Sequence, residues 1–253
     1  MLGLLETPPD LRPWVQCIWT LESGESDEAA PIAPDGCCEW ILHLGAPPLA
    51  WRDGAWHRQP RVYLFGPLQQ PLRLRRDRAT HCLAVRLRPH AAAPLFDVSG
   101  FALCPEELAI PDLTRCVAPL RWLGEIDSLE HAYRSVIAAL RALAREARPF
   151  DPMVIAAAKA LERDHGGERI AGLARRLGVS KRTLERRFFD GVGLTPKRFA
   201  RIARMQQSLR LLSLPEASVA GVAHTMGYAD QAHLTRELVE LAGCRPGEIR
   251  RAG

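Results

Sequence analysis

The chain of 253 residues contains no run close to the roughly 18 consecutive apolar residues that a membrane-crossing helix needs. Its opening, Met1-Leu2-Gly3-Leu4-Leu5-Glu6, lacks the basic start and long apolar stretch of a secretion signal. Seven cysteines, an odd number in no paired framework, provide no disulfide scaffold and suit a reducing compartment, so a cytoplasmic protein with no membrane partner is expected. Catalytic signatures are missing as well: there is no Gly-x-Ser-x-Gly, no phosphate loop and no Cys-x-x-Cys. A metal-dependent barrel enzyme would need two histidines and a carboxylate converging on one ion, yet His43, His57, His81 and His90 are scattered singly. The expectation is a protein that is not an enzyme and carries no metal and no cofactor.

What is present is a segregated charge. Residues 151–253 hold 18 Lys and Arg against 11 Asp and Glu, an excess of seven, whereas residues 1–150 hold 16 against 18. Only three of the basic residues are lysine, and arginine presents a planar fork suited to bidentate contact with phosphate and guanine. The length fits two domains, 1–148 and 149–253, with Arg148-Pro149-Phe150-Asp151-Pro152 reading as the hinge.

The basic half contains one small pattern twice. A short Ala-rich helix, a glycine and a second helix with a polar outer side run from Ile170 to Phe188 and again from Val219 to Arg236. Gly178 and Gly227 each follow the last apolar residue of a helix, where a left-handed backbone is cheap only for glycine. Ser180 and Asp230 stand where the next helix begins, with side-chain oxygens that can accept its first N–H groups.

At about 100° per residue, Leu184 and Phe188 share one side of the first recognition helix and Arg182, Glu185 and Arg186 the other. In the second, Leu234, Leu238 and Leu241 form the buried stripe and leave Gln231, Ala232, Thr235 and Arg236 outward. Arginine can fork onto guanine, Gln can pair with adenine, and the methyl groups of Ala and Thr suit thymine. Glu185 could accept from cytosine, repel phosphate, or orient Arg182 and Arg186 through helical pairing, the role ranked first. Arg187, between the two faces, suits packing or phosphate better than bases. Between the units a helix is predicted from about Thr195 to Ser213, with Pro196 in its first turn and a stripe of Phe199, Ile202, Met205, Leu209 and Leu212. Lys197, Arg198, Arg201 and Arg204 on it could meet phosphates or form a solvated basic face.

The segment from about Pro152 to Arg250 resembles the DNA-binding domain of the AraC/XylS family of bacterial transcription regulators. The resemblance is carried by Ser180-Lys181-Arg182-Thr183-Leu184-Glu185-Arg186-Arg187-Phe188, by Gly193-Leu194-Thr195-Pro196-Lys197-Arg198-Phe199, and by Gly227-Tyr228-Ala229-Asp230-Gln231-Ala232-His233-Leu234-Thr235-Arg236, with Gly243, Pro246, Ile249 and Arg250. It implies base contacts from Arg182, Glu185, Arg186, Gln231, Ala232, Thr235 and Arg236. Phosphate contacts are expected from Ser180, Lys181, Thr183, Lys197 and Arg201. The chain departs at Leu234 and Leu238, where the family usually has phenylalanine. The implied partners are promoter DNA, RNA polymerase, an unknown small-molecule effector and a second copy of the chain.

The first half reads as strands up to about residue 88. Residues 14–21, 38–44, 61–65 and 81–87 are short, aromatic or β-branched, and bounded by Pro, Gly and Asp. After Pro89 the pattern turns helical, over residues 91–96 and again over 119–147, where Leu120, Leu123, Ile126, Leu129, Tyr133, Ile137 and Leu140 recur at helical steps; that stripe covers its own core or pairs two protomers. By the same resemblance the first half is a cupin-like sensory barrel or sandwich with trailing helices, making the whole chain α+β with an all-α second domain of two helix-turn-helix units joined by a long helix. Strand alternation puts Cys37, Glu39, Ile41 and His43 on one face, either a ligand wall or a solvent-facing surface. Two other functions stay open: a barrel enzyme fused to a DNA-binding module, and a thiol or metal sensor built on Cys37 and Cys38.

Overall fold

The computed structural model describes residues 1–26, 31–103 and 128–249, with the backbone of 107–109. Among the described residues of the first half, ten strands form two antiparallel sheets. The larger sheet contains β1 (Leu2–Leu5), β2 (Val15–Ser23), β4 (Glu39–His43), β7 (Val62–Phe65), β9 (Thr80–Leu87) and β10 (Glu107–Ala109), in the order β1-β2-β9-β4-β7-β10. The smaller contains β3 (Pro31–Ile32), β5 (Leu49–Arg52), β6 (Ala55–Arg58) and β8 (Leu72–Arg75), in the order β3-β8-β5-β6. The four strands predicted from apolar character are β2, β9, β4 and β7, adjacent in the larger sheet. The α+β expectation holds, and of the barrel and sandwich alternatives the described strands form two sheets that do not close into a barrel.

The register explains which residues are covered. Trp40 opposes Leu64 and Val85, and Leu42 opposes Leu83, on the face that packs against the helices. One of these is the short α1 (Ala92–Leu95); the other is α2 (Leu129–Glu146). Ala132, Val136, Ile137, Leu140 and Leu143 of α2 join that core, while Arg134 and Arg141 face outward. The described part of the predicted stripe therefore covers its own sheet, as the amphipathic period requires. Leu120, Leu123 and Ile126 lie outside the described residues.

The second half is helical: α3 (Pro152–Arg163), α4 (Ile170–Arg176), α5 (Lys181–Val192), α6 (Pro196–Leu212), α7 (Val219–Thr225), α8 (Gln231–Ala242) and α9 (Pro246–Ile249). The helix expected over 195–213 is α6, with Thr195 as its N-cap accepting from the Arg198 N–H at 3.2 Å. Its 17 residues span about 26 Å at 1.5 Å each. Two separate cores form around it, one from Val154 to Ile202 and one that begins at Met205 and contains Leu234, Leu238 and Leu241.

The segment joining the halves is pinned at both ends. Arg148 donates to the Ala93 and Val98 carbonyls at 2.9 Å and pairs with Asp97 at 2.8 Å. The Phe150 ring packs 4.2 Å from Trp14 and 5.1 Å from His90, centroid to centroid. Phe150 is thereby seated on the first half by apolar contact, and the next residue, Asp151, opens α3.

Candidate nucleic-acid interface

The two helix-turn-helix units are built by the same local chemistry. In the first, Gly178 takes φ 69°, and its N–H and that of Val179 reach back to the carbonyls of Arg175 and Ala174. In the second, Gly227 takes φ 70°, and its N–H and that of Tyr228 reach the carbonyls of His224 and Ala223. A side chain at either position would force a β-carbon into a left-handed backbone. Ser180 Oγ then caps α5 by accepting from the Thr183 N–H at 3.1 Å, and Asp230 caps α8 by accepting from the His233 N–H at 2.7 Å.

Helical periodicity then separates the faces. Leu184, Phe188, Leu234, Leu238 and Leu241 are fully buried. Arg182, Arg186, Gln231, Ala232 and Arg236 are exposed, and Glu185 and Thr235 are half-buried. Leu234 and Leu238 fill the core of the second unit. Thr235 Oγ1 donates to the Gln231 carbonyl at 2.8 Å, which turns its methyl group away from that carbonyl. Glu185 pairs with Lys181 at 3.5 Å, one helical turn back.

The basic residues of α6 are less available than their sequence suggests. Arg201 donates from Nε to Glu237 at 3.0 Å and from Nη2 to Glu240 at 2.7 Å. Arg204 lies 4.8 Å over the Tyr228 ring and 3.4 Å from Glu237. Arg198 reaches Glu240 at 3.1 Å. These pairs tie α6 to α8, so the structure places Arg201 in an intramolecular clasp while Lys197 stays exposed. Ser180, Lys181 and Thr183 sit together at the exposed N-terminal end of α5, where backbone N–H groups and the helix dipole favour an anion.

Arg187 is held elsewhere. Its Nε and Nη2 bond the Asp151 carboxylate at 2.8 and 2.6 Å, and the same carboxylate caps α3 by accepting from the Met153 N–H at 2.9 Å. The hinge is thereby attached to the first recognition helix. Nothing in the local sequence pairs residues 36 apart.

The proposed ligand residues of the first half do not converge. Glu39 and His43 share a face of β4, at its two ends, and Cys37 precedes the strand. Glu39 accepts from Arg86 at 2.9 and 2.8 Å and from the Trp19 indole at 3.2 Å; burial raises its pKa despite Arg86. His43 is 3% exposed, its ring stacked 5.9 Å from that of Tyr63, and burial lowers its pKa to about 4. Cys37 is buried, its thiol donates to Gln16 Oε1 at 3.3 Å, and burial raises its pKa well above the usual thiol value. Cys37, Asp35 and Arg86 line a cavity of about 410 Å³ whose opposite wall is Lys159, Glu162 and Gln206 of the second half. Strand alternation could not reveal that cavity, because it forms only where α3 and α6 meet the sheet.

Two turn-linked helix pairs with buried leucine stripes and polar outer faces define a bipartite helix-turn-helix protein. Residues 173–252 match a family described as a helix-turn-helix domain, and residues 5–107 match a domain of unknown function, DUF6597. An AraC-like transcription regulator of Streptomyces lividans is 32% identical over 102 residues, 40% of this chain and 34% of that protein. The HTH-type transcriptional activator RhaS of Escherichia fergusonii is 34% identical over 89 residues, 34% of this chain and 32% of that protein. The match thus spans about a third of the length of these relatives. A structure of ToxT from Vibrio cholerae O395 bound to (E)-4-(8-methylnaphthalen-1-yl)but-3-enoic acid covers 92% of this chain and 98% of its own, at 12% identity and TM-score 0.52, a likeness of fold. Residues 173–252 are a helix-turn-helix domain, and over this part the chain is similar to AraC-like regulators. No helix among the described residues is long and apolar enough to cross a membrane.

Proposed function

We propose that the chain is a sequence-specific transcription regulator that reads promoter DNA through α5 and α8 and answers to a small-molecule effector through its first half. The observation that carries this reading is the repeated turn chemistry that sets Arg182, Arg186, Gln231 and Arg236 outward over buried stripes. Arg182 and Arg186 are suited to guanine, Gln231 to adenine, and Ala232 and Thr235 to thymine methyl groups. Ser180, Lys181, Thr183 and Lys197 would hold phosphate. Arg201 would do so only by releasing Glu237 and Glu240, and a role in holding α8 to α6 fits its geometry better.

Effector response is supported by the cavity between the halves, where one molecule would touch Arg86 and Cys37 on one side and Lys159 and Gln206 on the other. A thiol sensor is a poorer fit, because the Cys37 thiol is buried and held protonated, which removes the nucleophile that oxidants require. A regulator without catalysis, working in the cytoplasm with RNA polymerase and as a homodimer on its promoter, completes the proposal. Selection of bound sequences from random duplexes tests it: an enriched site with two elements supports the reading, and equal affinity for selected and random DNA ends it.

A further inference from the structure

Each recognition helix ends on a left-handed glycine, Gly193 after α5 and Gly243 after α8. Both glycines are pressed against the first half, and each meets a proline of the same loop. A Cβ at Gly193 would lie 2.9 Å from Leu103 Cβ and 3.3 Å from Pro67 Cγ. A Cβ at Gly243 would lie 3.1 Å from Pro71 Cβ and Cγ and 3.2 Å from Pro31 Cβ. Midway between the prolines the Gln69 carbonyl accepts a hydrogen bond from Arg198 Nη2, on the helix that joins the two units. Residues 67–71 therefore touch the first unit, the joining helix and the second unit in turn.

The loop is itself firmly seated. Pro67 is buried, and a Cβ at Gly66 would fall 2.0 Å from the Leu103 carbonyl oxygen, so the chain there lies directly on residue 103. Proline at both ends restricts φ there, and the Arg198 bond to the Gln69 carbonyl holds the middle of the loop. The units need such a reference. Their cores are separate, the first ending at Ile202 and the second starting at Met205, and α6 runs through both. Glu237, buried, holds α8 to α6 through Arg201 and Arg204, but the pairs of Arg198 and Arg201 with Glu240 involve a carboxylate 51% exposed and hold weakly, so the far end of α8 has the weaker hold on α6.

We infer that residues 67–71 of the first half are a positioning element for DNA reading: Pro67 bears on the end of α5, Pro71 bears on the end of α8, and the loop between them sets the spacing of the two base-pair elements that one chain accepts. The inference rests on the DNA-reading function proposed above, and Pro67, Gln69 and Pro71 act on the recognition helices without touching DNA.

Full-length protein and a variant with two glycines inserted between Gln69 and Gln70 test it. The site selected by the unmodified protein is rebuilt as a series with its elements about 8 to 13 base pairs apart, centre to centre. The unmodified protein should lose about tenfold in affinity one base pair from its optimum, and the lengthened variant less than about threefold, with base preference inside each element unchanged. A role confined to stability would lower affinity at every spacing alike and leave the profile unmoved. The double variant Pro67→Ala, Pro71→Ala keeps the loop length and carries the test should the insertion fail to fold; it should flatten the profile in the same direction. An unaltered spacing profile in a folded variant overturns the inference and leaves DNA reading intact. Selection that yields a single element overturns the inference, and selection that enriches nothing overturns both.

Discussion

Asp151 and Arg187 form a two-bond ion pair between the hinge and the first recognition helix, at 2.8 and 2.6 Å, while the same carboxylate caps α3. One residue thus fixes the start of the second half, and α5 with it. Arg148, three residues earlier, is bound to Asp97 and to two carbonyls of the first half. The path from the first half to α5 is therefore a short run of the chain with polar anchors at both ends.

Replacing Asp151 by Ala should destabilise the second half by about 1 kcal/mol, the usual cost of a lost cap, read by urea denaturation. Burial opposes ionisation, yet the Arg187 and backbone N–H bonds hold the Asp151 carboxyl below its ordinary value of 3.8. Its contribution is therefore present above the unfolded pKa and fades as pH falls through the folded one. The stability gap between the protein and Asp151→Asn should shrink below about pH 4; a gap that stays constant down to pH 2.5 would show that ionisation is not involved.

Arg186→Ala and Gln231→Ala should each cost about 1–3 kcal/mol on the selected site and relax preference at one or two base pairs. Titrations against matched and singly mutated duplexes at fixed salt decide it. Equal loss on specific and random DNA would mean that these side chains hold phosphate.

Glu237 and Glu240 both bind Arg201, but the Glu237 side chain is 4% exposed and that of Glu240 51%. Removing Glu237 strips Arg204 and the Tyr228 hydroxyl of a buried partner and leaves Arg201 only Glu240, at up to about 3–5 kcal/mol, whereas an exposed pair contributes under about 1. Glu237→Ala should therefore unfold at clearly lower denaturant than Glu240→Ala. Similar midpoints for the two variants would contradict the assigned burial.

His43 should make the first half sensitive to mild acid. Burial lowers its pKa from 6.5 to about 4, so the unfolded chain takes up a proton that the folded chain refuses. Stability from this group is complete above pH 6.5 and is lost as pH falls toward 4, by at most about 3 kcal/mol. Thermal melts across that range should fall less steeply for His43→Leu; parallel curves would rule this residue out as the cause.

The helix-turn-helix units were legible because their signals are local. A glycine at the turn, an oxygen-bearing cap and a 3.6-residue period act within a few residues of one another, so Gly178, Ser180, Leu184 and Phe188, and their counterparts in the second unit, announce both the helices and their outward faces. The four apolar strands were equally visible, whereas β3, β5, β6 and β8 are short, often polar, and defined mainly by the strands they pair with.

Tertiary structure decided what the polar side chains do. Arg187 and Arg201 carry charge that the sequence could direct at DNA, but their partners Asp151, Glu237 and Glu240 come from other helices or the hinge. Glu39 and His43 share a face as alternation requires, whereas Cys37 precedes the strand and lines a cavity that they do not. Arg198 and Gln69 stand 129 residues apart, and no periodicity relates them. The sequence determines which surfaces are apolar and where helices start and stop, since both follow from neighbours along the chain. Which charges are exposed, and what the first half rests against, follow from contacts that exist only after the chain has folded.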